Sequence, residues 1–501
     1  MTTGSRIQDS GFSKALSAAE VRALDALDMR RLRADSREVK RGDTFVAYPG
    51  ESRDGRQYIA QAIAAGAASV LWEQRGFKWN AAWKVANRAV PDLRARAGLI
   101  ASHVYAHPSR RLRMIGVTGT NGKTTCSQWI ARALNDCGTR TAIVGTLGHG
   151  LRGKLRPLAN TTPDALWLQA QLADYLKRGA AAVSMEVSSI GLEQGRIAGV
   201  EFDIALLTNL TRDHLDYHRT MARYKQAKAK LFACDSLSHA LLNLDDNFGF
   251  ELAGRIKRRG LQVIGYGFGR STQAVRRLPR LSGTNLVCGA EGVRFDVATP
   301  WGDARVASPV LGRHNASNLL ATLAVLLACD VKLKNAVAAL GRLGAVAGRM
   351  QRLGGGSRPL AVIDYAHSPD ALENVLRALR DLTDGELWCV FGCGGDRDRG
   401  KRPLMGAAAS RLADRVIVTS DNPRFENPRA IINDVRRGVR GNCMVDPDRR
   451  KAILSAIRHA RRGDVVLIAG KGHEPYQEIR GVRRPFSDLL VAREALRGVR
   501  V

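Results

Sequence analysis

Along this chain, short unbroken apolar runs alternate with longer stretches whose apolar positions recur every three or four residues. The first pattern predicts buried strands and the second predicts helices packed on one face. Residues 44–47 and 68–72 read as short strands, and 61–66 as a helix closed by a glycine cap. A longer series starts at 113–118, an apolar run followed by a glycine-rich turn and an amphipathic helix over 124–137. Strands follow at 141–144, 181–185 and 204–208, with helices between them, so this part predicts a mostly parallel sheet. Residues 262–310 carry short alternating runs broken by Gly and Pro and predict an antiparallel patch. Helices are expected over 315–328 and 333–343, then a Gly- and Ala-rich break at 344–348. The remainder alternates again, with strands at 360–364, 387–391, 415–419 and 465–469 and a helix after each. No solenoid-type repeat is present.

The chain has 501 residues, which at about 100–200 residues per domain suggests three. The expected division is 1–108, 109–346 and 347–501, an α/β protein throughout. With 45% apolar and 25% charged residues, it can build ordinary cores and is not a disordered chain. A net charge of +31 raises the possibility of a nucleic-acid-binding ATPase. The basic residues, however, are scattered, and groups such as Arg255-Ile256-Lys257-Arg258-Arg259 are short. A basic-surfaced enzyme with anionic ligands is the preferred reading, with no nucleic acid as partner. Eight irregularly spaced cysteines, including Cys389 and Cys393, lack a zinc-site spacing and suit reduced thiols. The first thirty residues show no apolar leader core, and the longest apolar stretch, 319–329, is too short to span a bilayer. A cytoplasmic protein with no membrane insertion is therefore expected.

The chemistry starts at Gly119-Thr120-Asn121-Gly122-Lys123-Thr124-Thr125. A buried strand, a glycine turn and a helix opening at Lys-Thr form a phosphate cradle, in which backbone N–H groups and the helix N-terminus face the anion. Lys123 reaches terminal phosphates and the Thr124 hydroxyl suits Mg²⁺. The common phosphate loop has Gly where Val117 stands, so this is a shorter variant. Two further polar groups follow strands, Met185-Glu186-Val187-Ser188-Ser189 and Thr208-Asn209-Leu210-Thr211-Arg212-Asp213-His214-Leu215-Asp216. Both thus lie at strand carboxyl ends, where open α/β sheets bind ligands. A basic helix, Tyr224-Lys225-Gln226-Ala227-Lys228-Ala229-Lys230-Leu231-Phe232, comes next; its composition alone does not single out one lysine.

The stretch from Thr118 to Thr125, with these segments in this order, resembles the Mur ligases, which build the peptidoglycan precursor. Similar loops occur in folylpolyglutamate and cyanophycin synthetases. The resemblance implies ATP and Mg²⁺, with Glu186, His214, Thr124 and a carbamylated Lys228 as metal ligands. It places Asn315 and Asn318 near the adenine, Arg349 beside an interdomain hinge, and Asp364 and His367 on the ribose and phosphates. It implies a uridine-nucleotide domain first, a P-loop ATPase-like parallel sheet second and a Rossmann-like α/β domain last. The activity implied is amide-bond formation through an acyl phosphate, catalysed with Lys123.

Within that family, Asp35-Ser36-Arg37 resembles the start of the member that adds the third peptide residue. Ser36, Asn160, Thr161, Thr162, Ser188, Gln194 and Arg196 would then hold UDP-N-acetylmuramoyl-L-alanyl-D-glutamate. Asp421-Asn422-Pro423-Arg424 resembles the segment selecting meso-diaminopimelate, whose extra carboxylate an Arg fork grips in two places. Arg397, Gly470 and Glu474 would complete that pocket, with Glu474 taking the ammonium. The chain departs from the family pattern at Ile190, where His is usual, and at Glu51-Ser52-Arg53. A lysine-adding ligase and a folylpolyglutamate-synthetase-like ligase are the alternatives. A monomer is expected.

Overall fold

The computed structural model describes residues 15–498 apart from 52, 152, 154, 257 and 270–277; Ser52 and Lys257, named above, lie outside the described residues. The described chain folds around three main sheets. The first has four parallel strands in chain order, Leu32–Arg33, Thr44–Ala47, Ser69–Glu73 and Ala86–Val90. The predicted strands over 44–47 and 68–72 are its two inner members. Helix Ile59–Ala64 connects them and turns out through Gly66.

The second sheet has ten strands, with Arg113–Thr118 between Ile204–Leu207 and Ala182–Glu186. Their residues are almost wholly buried, as expected of parallel strands covered on both faces. One cover is helix Arg313–Ala328, whose residues from Leu319 to Ala328 are all buried. The apolar stretch over 319–329 is thus core, and no described helix is long and apolar enough to cross a membrane. The expected antiparallel patch needs one correction. Strand Gln262–Gly267 pairs in parallel with both neighbours, and antiparallel pairing begins only between Arg280–Gly289 and Gly292–Thr299. Tertiary position reverses the expectation: Gln262–Gly267 extends the parallel sheet next to His239–Asn243 and is half core-facing.

The third sheet holds six strands in the order Gln351–Gly354, Leu360–Asp364, Val465–Ala469, Leu387–Phe391, Arg415–Val418 and Met444–Val445. Only its first strand is antiparallel. A second correction falls here. A helix does not directly follow Val465–Ala469; a hairpin, Tyr476–Ile479 with Val482–Pro485, intervenes before helix Asp488–Arg497. All eight cysteines are free, and Cys389 and Cys393 are buried.

Candidate functional site

Sheet register assembles the site. Val117 stands opposite both Glu186 and Leu206, so the residues after Thr118, Glu186 and Leu207 emerge side by side at one carboxyl edge. In the third sheet Asp364 and Phe391 both face Ala469, which aligns a second carboxyl edge. The two edges face each other across a cavity of about 570 Å³. Its lining includes Lys123, Thr124, Glu186, His214, Lys228 and Arg349, together with Arg397, Arg424 and Glu474.

The glycine-rich loop runs into helix Lys123–Asp136 through Gly122, at φ 84°. At Gly119, with φ 151°, an added Cβ would stand 1.8 Å from the Thr208 hydroxyl oxygen, so only glycine fits. Lys123 folds back and donates to the Gly119 and Thr120 carbonyls at 2.8 and 2.9 Å. Thr120 shares a hydrogen bond with the Tyr224 hydroxyl, and Asn121 donates to Asp370 at 2.9 Å across the cavity. Thr125 is buried and still lines the cavity.

Glu186 is fully buried, yet its oxygens accept from neutral groups: the Thr124 hydroxyl at 2.9 Å and the Thr146 N–H and hydroxyl at 2.8 and 3.1 Å. A buried carboxylate with only neutral donors is costly unless a cation joins it. Lys228 is equally buried and donates to the Gly119 carbonyl at 2.7 Å. Burial, reinforced by nearby Lys123, holds its amine well below the usual lysine range. Burial also lowers Lys123. Loss of solvent pushes the His214 imidazole down to about 3 despite the adjacent Asp213 carboxylate. His214 has left-handed backbone at φ 54°, as does Arg424 at φ 49°, the sort of strain that folded sites sustain.

Arg349 spans the gap, donating to Thr124 at 3.2 Å while lying 4.2 Å over the Tyr365 ring. Asp364 accepts from the Met350 N–H at 2.7 Å, and burial raises its carboxyl. His367 holds the Tyr365 carbonyl at 2.8 Å and approaches Asp213 at 3.4 Å. Asn318 donates to Asn315 at 3.2 Å, and both line the cavity beside the loop. Asn160, Thr161, Ser188 and Arg196 also line it, Arg196 holding the Thr162 carbonyl at 2.8 Å. Thr162 lies just behind, fixing the Glu186 carbonyl and the Ser188 N–H. Gln194 instead donates to Glu51 at 2.6 Å, and Ser36 is buried in the first sheet's layer against Gln61. Neither is part of the cavity wall.

On the far wall Arg424 donates to the Gly395 carbonyl at 2.6 Å, and Arg397 lies 3.6 Å from Asp216. Asp421, Asn422, Pro423 and Gly470 sit behind that wall and support it. At Gly470, φ 114°, an added Cβ would meet the Asp421 carboxylate at 2.5 Å. Sequence reasoning passed over Asp213. It is clamped by Lys401 at 3.2 Å and by His367; against the upward push of burial, these hold its carboxyl well below the usual range. It also passed over Asp370, Tyr476, Glu478 and Arg483, all on the wall. Asp213 stands beside His214 in the polar segment after Ile204–Leu207; no local signal marked the others, because distant segments bring them in.

Among the described residues no group of three or more His, Cys, Asp or Glu forms a metal cluster. The available donors are one buried carboxylate, one hydroxyl, one neutral imidazole and the Lys228 amine. With Lys228 as a carbamate, three of the four would offer oxygen, a set that fits a hard divalent cation.

Comparison with known proteins agrees with this geometry. Residues 117–326 match the Mur ligase middle domain, 348–472 the Mur ligase glutamate ligase domain, and 29–105 the Mur ligase catalytic domain. The chain is 50% identical over 504 residues to the UDP-N-acetylmuramoyl-L-alanyl-D-glutamate--2,6-diaminopimelate ligase of Nitrosomonas europaea, covering 97% of this chain and 96% of that protein. The Chromobacterium violaceum protein of the same name is 51% identical, covering 94% of each. A solved ligase structure of that name is 39% identical with a TM-score of 0.67, covering 94% of this chain and 95% of that one. The Thermotoga maritima MurF ligase, solved with ADP, is 18% identical with a TM-score of 0.66, covering 94% and 97%, and shares the fold. The order of motifs, the three sheets and these full-length likenesses coincide: the chain belongs to the Mur ligase family.

Proposed function

We propose that this chain is an ATP-dependent ligase joining meso-2,6-diaminopimelate to the D-Glu γ-carboxylate of UDP-N-acetylmuramoyl-L-alanyl-D-glutamate, as a cytoplasmic monomer. The observation that carries this reading is the single cavity in which the phosphate loop faces Arg424 and Glu474. An acyl group activated on one side meets an amine held on the other.

In this reading the substrate γ-carboxylate attacks the terminal phosphorus of ATP; the P–O bond to ADP breaks and an acyl phosphate forms. The diaminopimelate amine then adds to the acyl carbon, loses a proton and expels phosphate. Lys123, released from the Gly119 and Thr120 carbonyls, turns to the transferring oxygens and offsets their charge. Asn315, Asn318, Arg349, Asp364 and His367 are assigned to the nucleotide. Asn160, Thr161, Ser188, Gln194 and Arg196 are assigned to the muramoyl-dipeptide, and Ser36 to its uridine end. Arg424 and Arg397 take carboxylates of the amino acid, and Glu474 takes its distal ammonium.

Thr124, Glu186, His214 and Lys228 would hold Mg²⁺, which supplies charge neutralisation at the phosphates. Lys228 enters as its carbamate, made when a neutral amine adds CO₂ and releases a proton. Its depressed basicity favours that neutral amine. The test is phosphate release from ATP. Release only when nucleotide-dipeptide and diaminopimelate are both present supports the reading. Equal turnover with L-lysine, or release stimulated by DNA alone, overturns it.

A further inference from the structure

We propose that Lys471 is the positioning residue of the amino-acid pocket, and that it fixes Glu474 so that the pocket reads the distal stereocentre of the amino acid. This rests on the functional reading above. Lys471 is wholly inaccessible to solvent and lies behind the cavity wall, whereas Glu474 lines it. The Lys471 ammonium donates to Glu474 Oε2 at 2.9 Å and to Asn422 Oδ1 at 3.0 Å. Asn422 in turn donates from Nδ2 to the same Glu474 Oε2 at 2.8 Å. Its Oδ1 also accepts the Glu478 N–H at 3.0 Å, which fixes the amide's orientation.

Three elements meet around this ammonium: the loop after Val465–Ala469, the loop after Arg415–Val418, and the hairpin strand Tyr476–Ile479, whose Tyr476 ring centroid lies 5.6 Å from it and whose Glu478 N–H reaches Asn422. Two donors saturate Oε2, so a ligand in the cavity is met by the other oxygen, Oε1. Without Lys471 the Glu474 carboxylate would be free to swing toward Arg424 or Arg483, both of which line the same cavity. A buried ammonium behind the wall holds it against that pull, because charge-assisted hydrogen bonds strengthen away from water. Arg424 is fixed from the other side: its backbone N–H donates to the Glu478 carbonyl at 3.0 Å and its guanidinium donates to the Gly395 carbonyl at 2.6 Å. The distal carbon of diaminopimelate carries one ammonium and one carboxylate. With both protein partners immobile, only one arrangement of those two groups fits, so the pocket senses chirality and not charge alone.

The experiment compares Lys471→Met, Glu474→Gln and the double variant with the unaltered enzyme. It measures KM for meso-diaminopimelate, ATP and the nucleotide-dipeptide, the ratio of kcat/KM for the meso and LL isomers, and Tm. Lys471→Met is expected to raise KM for meso-diaminopimelate at least tenfold and leave KM for ATP within twofold. It should also narrow the meso/LL ratio. A merely structural role would lower the active fraction and hence kcat, but would leave KM and the isomer ratio alone; that result overturns the proposal. Because Lys471 acts through Glu474, the double variant should match Glu474→Gln within twofold. Multiplying defects overturn the proposal. That arm also covers a failure of Lys471→Met to fold, since the double variant leaves no unpaired buried charge. An unaltered enzyme that releases no phosphate with diaminopimelate overturns the functional reading and this inference together. A normal enzyme with an unchanged Lys471→Met variant overturns only the inference.

Discussion

Replacing Arg424 by Ala isolates the amino-acid side of the reaction. Among the described residues the Arg424 fork has one hydrogen-bond partner, the Gly395 carbonyl at 2.6 Å, and Arg424 lines the cavity. The backbone cost of the change is small, since both residues are non-glycine in the same left-handed region at φ 49°. Loss of the Gly395 contact should cost about 0.5–1.5 kcal/mol of stability, a modest fall in Tm. Loss of a charged pair with the substrate's distal carboxylate costs about 1.5–3 kcal/mol. At about 1.4 kcal/mol per decade, KM for meso-diaminopimelate should rise roughly ten- to 150-fold. The assay is phosphate release at saturating ATP and nucleotide-dipeptide, titrating diaminopimelate and, separately, L-lysine. L-Lysine lacks the distal carboxylate, so its weak turnover should change little and selectivity should collapse from the diaminopimelate side. Arg424→Lys should fall between, keeping the charge but losing the two-pronged geometry. An unchanged KM for diaminopimelate, or an equal fall for both amino acids, would refute the assignment of Arg424.

Lys228→Ala should lower kcat by at least tenfold, with partial recovery on adding a small carboxylic acid; a fully active variant disposes of the carbamate. Asp488→Ala strips the partner from Arg449, a pair wholly shielded from solvent with two contacts of 2.8 Å. The unpaired buried guanidinium should cost about 3–5 kcal/mol, read from denaturant unfolding of the third-sheet region; a change under about 1 kcal/mol contradicts this. Gly119→Ala drives a methyl into the Thr208 hydroxyl and should cut kcat/KM for ATP by about a hundredfold. Normal ATP kinetics would show that the loop tolerates a side chain. The fold keeps His214, His314 and His473 neutral down to about pH 3, 4 and 4, in each case because burial disfavours the charged ring. Between about pH 4 and the unfolded value of about 6.5, the unfolded chain therefore binds more protons, so stability falls as pH falls through that window. A Tm that stays flat from pH 7 to 4.5 would contradict this.

The motifs were legible because they are local. A buried strand, a glycine loop and Lys-Thr at a helix start sit within thirteen consecutive residues, and each imposes its own conformation. The carboxyl-end positions of Glu186 and His214 followed from the same reasoning, since Glu186 ends one apolar run and His214 stands in the polar segment after another. The strand over 262–267 and the hairpin over 476–485 were not legible in that way. Strand direction is set by which neighbour a segment finds, and a four-residue strand that is half-buried along its whole length carries no periodic signal.

By itself the sequence determined the alternating α/β pattern, the glycine-rich loop between a buried strand and a helix, and an arginine some three hundred residues downstream of it. Tertiary structure decided which of these groups share one volume. It brought Asp213 under Lys401 and His367, turned Glu474 through Lys471 and Asn422, and left Ser36 and Gln194 away from the cavity wall. The physical reason is that periodicity and propensity act over a few residues, whereas burial, pKa displacement and side-chain aim depend on partners contributed by separate sheets. Those partners are set only when two carboxyl edges close on one cavity.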